Sequence, residues 1–115
     1  DGALIPTQGL WVERHYNGTG TCEDGRTGTT NPRVGDFTAD LSGGGVNGIT
    51  FNDTFYSYIG NDTYEAYEVV PYSGGEYVAR LTFTLTSANT AGGSIGEVYN
   101  KCNFNLPITL NYIGG

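Results

Sequence analysis

The chain has 115 residues, enough for one domain with a modest core, and its 12 acidic against 5 basic side chains give a net charge of −7. That balance leaves no basic footprint for nucleic acid and is repelled by anionic membrane surfaces. No apolar run approaches the roughly 18 residues of a membrane-spanning helix, and an acidic chain rich in Gly (19) and Tyr (9) but without Met suits a secreted, extracellular or cell-surface protein kept soluble by its charge.

A start at Asp1 reads as a processed or excised chain. Residues 1–8 form an extended segment ahead of a single β domain over 9–115. In that segment Ala3-Leu4-Ile5 is an apolar knot stopped by Pro6. Such a terminus frays unless something holds it. The expected holder is another copy of the chain, with the knot adding to a neighbour's sheet.

A strand follows over 10–16, with Leu10, Val12 and Tyr16 on one face and Trp11, Glu13 and His15 on the other. Asn17-Gly18 is a hairpin signal, returning into a short strand at Thr19 to Cys22. Residues 23–32 are polar and rich in Gly and Thr, which reads as a loop. Alternation resumes over 34–41, turns through Ser42-Gly43-Gly44-Gly45, and continues over 46–51 with Ile49 and Phe51.

Asn52-Asp53-Thr54-Phe55-Tyr56 is then echoed by Asn61-Asp62-Thr63-Tyr64. Two copies are too few for a solenoid. A type II′ turn at Gly60-Asn61 makes this a hairpin with Tyr56, Tyr58, Glu65 and Tyr67 on one wet face. Three tyrosines and a carboxylate together suit stacking and hydrogen bonding to a glycan or another small ligand.

The clearest strand runs from Glu76 to Ser87. Tyr77, Ala79, Leu81, Phe83 and Leu85 share a face, and Arg80, Thr82, Thr84 and Thr86 lie opposite. A less regular strand covers 95–102. The last alternates Cys102, Phe104, Leu106, Ile108, Leu110 and Tyr112 with polar residues and Pro107. Proline cannot donate to a ladder, so Pro107 marks an edge strand or a bulge and a second candidate for an assembly contact.

Eight or nine short strands, at turn intervals of about 8–12 residues, predict an antiparallel β-sandwich, with a small up-and-down barrel as the alternative. The Pro107 edge favours the sandwich. Gly9-Leu10-Trp11 resembles the Gly-x-Trp that starts lipocalin- and avidin-like barrels, over three residues, and assigns no family. Cys22 and Cys102 read as a disulfide, which implies an oxidising compartment.

Catalysis finds little footing. His15 is the only histidine, no Gly-x-Ser-x-Gly elbow occurs, and Glu65 and Glu68 fall on opposite faces of their strand. No metal or cofactor motif is present, although Asp36, Asp40, Asp53, Asp62 and Glu23-Asp24 supply acidic turns of the kind calcium uses. Asn17, Asn52 and Asn61 each begin a glycosylation acceptor triplet. The expected function is non-catalytic: a structural or adhesive subunit assembling with other copies of itself, or alternatively a glycan- or small-ligand-binding module.

Overall fold

The computed structural model describes residues 4–29, 36–72, 74–99 and 101–114. Its strands are β1 (Gly9–His15), β2 (Thr19–Cys22), β3 (Thr27–Thr29), β4 (Asp36–Gly43), β5 (Ile49–Phe51), β6 (Thr54–Gly60), β7 (Thr63–Tyr72), β8 (Gly75–Ser87), β9 (Thr90–Tyr99) and β10 (Cys102–Gly114). From β4 to β10 each strand pairs antiparallel with the next, β1 pairs with β4, and β10 pairs back onto β1. Eight strands therefore close into a barrel, in place of the sandwich expected first, with β2 and β3 as an extension beside β10.

Pro107 explains both the expectation and its failure. β10 is paired on both sides, with β9 along 102–111 and with β1 and β2 opposite. The Pro107 carbonyl accepts the Tyr16 N–H at 3.0 Å. A residue's N–H and C=O point to the same neighbour in an antiparallel ladder, so the missing donor also faces the gap between β1 and β2. Pro107 thus lies where the partner line passes from β1 to β2, so its missing donor breaks no ladder.

Asn17-Gly18 lies in that gap and is not a hairpin. β1 runs along Ile108 to Gly114 and β2 along Cys102 to Asn105, both antiparallel to β10, so the two are pieces of one line. Gly18 serves close approach instead: a Cβ there would come within 1.8 Å of the Asn105 carbonyl oxygen. The continuation of this line sets Cys22 directly opposite Cys102, and the two are joined in a disulfide.

The Asn-Asp-Thr repeat is a repeat of turn chemistry. Asn52 and Asp53 have φ of 53° and 61°, and Asn61 and Asp62 have 53° and 57°. Both are two-residue hairpin turns with positive φ at each central residue, the type I′ form for which Asn and Asp are suited. The second turn therefore falls one residue later than Gly60-Asn61, with Gly60 opposite Thr63 and a bulge at Ile59. A slip of one residue exchanges faces. Tyr56 and Tyr58 turn inward beside Tyr64, whereas Phe55 and Ile59 are exposed.

The inward phases of β8 and β10 meet across the barrel as read from their alternation. Tyr64 stacks on Phe83 at 5.6 Å between ring centres, Tyr56 tilts against Phe83 at 5.3 Å and Tyr58 against Tyr64 at 5.2 Å. Burying each such side chain contributes about 1.5–3 kcal/mol.

One end of the barrel is covered by the N-terminal segment. Pro6 is fully buried, Leu4 packs against the core, and Trp11 beneath them has no exposed surface. The Leu4 N–H donates to Asp62 Oδ1 and the Thr7 N–H to the Ala88 carbonyl, each at 2.8 Å. Leu4 and Thr7 are thus tied to their own barrel. Ile5 points outward, and Ala3 lies outside the described residues.

Candidate functional site: the open end of the barrel

The opposite end is open. A cavity of about 280 Å³ lies inside it, walled by Phe51, Ala79, Leu81 and Ile95 and carrying Glu13, His15, Tyr56, Glu68, Tyr77 and Glu97. Strand periodicity delivers these polar groups. Glu13 and His15 continue the inward phase of Trp11, Glu68 that of Tyr64 and Ala66, and Glu97 that of Ile95. Ala79 stands opposite both Glu68 and Glu97 on its neighbouring strands. The two residues therefore flank a small side chain at one level, their backbones about 10 Å apart across the sheet by strand spacing.

Glu13 is only 3% exposed and bonds to His15 through Nε2. Burial pushes its carboxyl above the usual range, and the imidazole pulls the other way. Tyr77 donates its hydroxyl to Glu97. Burial first, and then the charge of nearby glutamates, raises the phenols of Tyr56 and Tyr77, so both stay protonated donors. Glu13 and Glu68 act on Tyr56; Glu97 and Glu68 act on Tyr77.

Tyr56 stands apart from its neighbours. It is 4% exposed, yet its hydroxyl has no hydrogen-bond partner among the described residues. No buried side-chain oxygen or nitrogen among those residues is left unsatisfied, so this hydroxyl faces the open volume. Glu68 likewise has no hydrogen-bond or ion-pair partner among the described residues. Both groups face the cavity and the solvent in it.

The residues expected to share a ligand face are divided by the wall of the barrel. Tyr56 and Tyr58 are inside, and Glu65 and Tyr67 are outside. There Arg80 pairs with Glu65 through Nε at 2.6 Å and lies 6.0 Å above the Tyr67 ring. Tyr67 and Arg80 border an open outer trough of about 500 Å³ with Thr19, Thr21, Asn103 and Asn105.

The acidic turns are largely occupied. Asp24 pairs with Arg26, Asp36 with Arg14, and Asp62 holds the Leu4 N–H. No three His, Cys, Asp or Glu side chains among the described residues lie close enough to hold a metal ion. Asn17, Asn52 and Asn61 are all exposed.

Sequence reasoning passed over Glu13, Tyr77 and Glu97 as site residues. The signal was present: Glu13 is in phase with Trp11, and Glu97 with Ile95. A carboxylate repeated in an apolar phase marks an inward-facing charge.

No protein-family model matches the chain, and no curated protein or solved structure shows significant similarity to it. The site must therefore be interpreted from its own chemistry.

Proposed function

We propose that this chain is a non-catalytic binding protein that holds a small organic molecule in the open end of its barrel. The observation that carries the reading is Tyr56, a nearly buried phenol whose hydroxyl is unpartnered and faces a cavity. The hydroxyl keeps access to solvent through the cavity, so a ligand that displaces that water is held by the hydrogen bond it makes in its place. Apolar walls with a few convergent polar groups, in the mouth of a β-barrel, are the usual composition of a small-molecule site. The disulfide supports work in an oxidising compartment outside the cytosol.

The test is a ligand-observed NMR screen of the intact, oxidised protein against ring-bearing fragments of neutral, cationic and anionic type. Fragments should bind the wild type and bind Tyr56→Phe several-fold less well, as loss of one hydrogen bond predicts. If no fragment binds, or if Tyr56→Phe binds every one equally, the reading fails.

A second reading is favoured by the outer trough, where an exposed aromatic ring lies beside two amides and two hydroxyls. It places a neutral saccharide over Tyr67, with Asn103 and Asn105 as hydrogen-bonding partners. Retention on a glycan array, lost in Tyr67→Ala and kept in Tyr56→Phe, would separate it from the first.

A further inference from the structure

Resting on the barrel-mouth reading, we infer that the ligand is a small organic cation, a primary ammonium borne on one apolar ring, with Glu68 as its counter-ion.

The argument begins with the charges that face the cavity. Among the described residues its titratable lining consists of Glu13, Glu68 and Glu97, the His15 imidazole, and the phenols of Tyr56 and Tyr77, with no lysine or arginine. The described basic residues are elsewhere. Arg14, Arg26 and Arg80 pair with Asp36, Asp24 and Glu65 on the outer surface, and Lys101 lies exposed in the turn between β9 and β10.

Within the cavity, His15 is committed to Glu13, and the Tyr77 hydroxyl is committed to Glu97. Glu68 is left over. It is the carboxylate whose field reaches both phenols.

Three ligand types can be compared against this lining. An anion would meet the Glu68 and Glu97 carboxylates and, among the described residues, no lysine or arginine. A neutral alcohol could bond to Tyr56 but gains nothing from the Glu68 charge. An ammonium carries three donors and no acceptor. It can give one to Glu68 as a charge-assisted bond and one to the Tyr56 oxygen. The rings of Phe51, Tyr56 and Tyr77 around the site favour a cation near their faces. Leu81 and Ile95 offer an apolar wall for the ligand body.

Size sets the rest. Drug-sized molecules occupy sites of roughly 300–1,000 Å³, and this cavity falls just below that range. A single ring with a short amine arm fits the volume.

The experiment is calorimetric and NMR titration of the intact oxidised protein with 2-phenylethylamine, 2-phenylethanol and phenylacetate at neutral pH. The amine should bind, the alcohol should bind about tenfold more weakly, and phenylacetate should not bind. Glu68→Gln, at an exposed position where the amide keeps the shape, should weaken the amine about tenfold and leave the alcohol unchanged. If the alcohol equals the amine, or the amine is indifferent to Glu68→Gln, the cation inference is overturned while the barrel-mouth reading stands. If none of the three moves the Tyr56 ring resonances, the cation inference is overturned, and the fragment screen decides the barrel-mouth reading.

Discussion

The indole N–H of Trp11 donates to the carbonyl oxygen of Thr7 at 2.7 Å, so the first barrel strand grips the segment that precedes it. That bond, the burial of Pro6 and the two backbone bonds from Leu4 and Thr7 make the segment a plug for one end. Deleting residues 1–7 should destabilise the disulfide-bonded protein by about 3 kcal/mol or more, since it uncovers Trp11 and strands its donor. Thermal melts and sizing of the truncated chain decide this. An unchanged melting temperature with a smaller particle would instead return the segment to an assembly role.

The disulfide closes a loop of 80 residues. In the chain-entropy account such a closure contributes about 4 kcal/mol. Reduction, or replacement of both cysteines by alanine, should lower the melting temperature markedly without changing the far-ultraviolet circular dichroism at room temperature. Loss of the β spectrum on reduction would show that the bond is required for the fold and not only for its stability.

Gly93 and Gly96 form a matched pair on β9. A Cβ at Gly93 would lie 1.9 Å from the Thr82 carbonyl oxygen and 2.6 Å from the Phe83 Cα, whereas at Gly96 the nearest atom is 4.0 Å away. Backbone cannot yield as a side chain can. Gly93→Ala should cost about 3 kcal/mol or prevent folding, and Gly96→Ala should stay within about 1 kcal/mol of the wild type. Urea melts of the two variants test the contrast, which equal stabilities would refute.

Glu13 makes stability depend on pH. Its folded value is raised from about 4.5, so the native state holds this proton more tightly than the unfolded chain. The associated stability is fully present below pH 4.5 and is lost as pH rises through the raised value. Gln mimics the protonated form, so Glu13→Gln should match the wild type near pH 4 and equal or exceed it at pH 8. A variant weaker than the wild type at pH 8 would mean that the His15 pairing outweighs the cost of burial.

The strands with long regular alternation, β8 and β10, were legible residue by residue, as was the disulfide that shares the inward phase of β10. Barrel closure was not. One proline on β10 signals either a free edge or a gap in the partner, and only the line formed by β1 and β2 reveals which. The tyrosine face was misassigned through a single turn. Asn61-Asp62 and Gly60-Asn61 are both sound hairpin pairs, and choosing between them exchanges every side chain of β7 relative to β6. The site was obscured for a related reason. Carboxylates such as Glu68 and Glu97 ordinarily point to water, so an inward phase became visible only once both neighbouring strands were placed beside Ala79.

The seam between β1 and β10 has a consequence for how the barrel is made. From β4 onward every ladder joins consecutive strands, and local pairings of that kind form early because little chain must be closed. The seam brings together residues from nearly opposite ends of the sequence, so it is expected to form last. With the seam open, the sheet is a ribbon bordered by β1 and β10, and such borders recruit other chains. Cys22 and Cys102 lie at one end of this seam. Their oxidation tethers β2 to β10 and turns a long search by β1 into a short one. The bond is therefore expected to shorten the interval in which the nascent protein can aggregate, a kinetic benefit separate from anything it adds to the finished barrel.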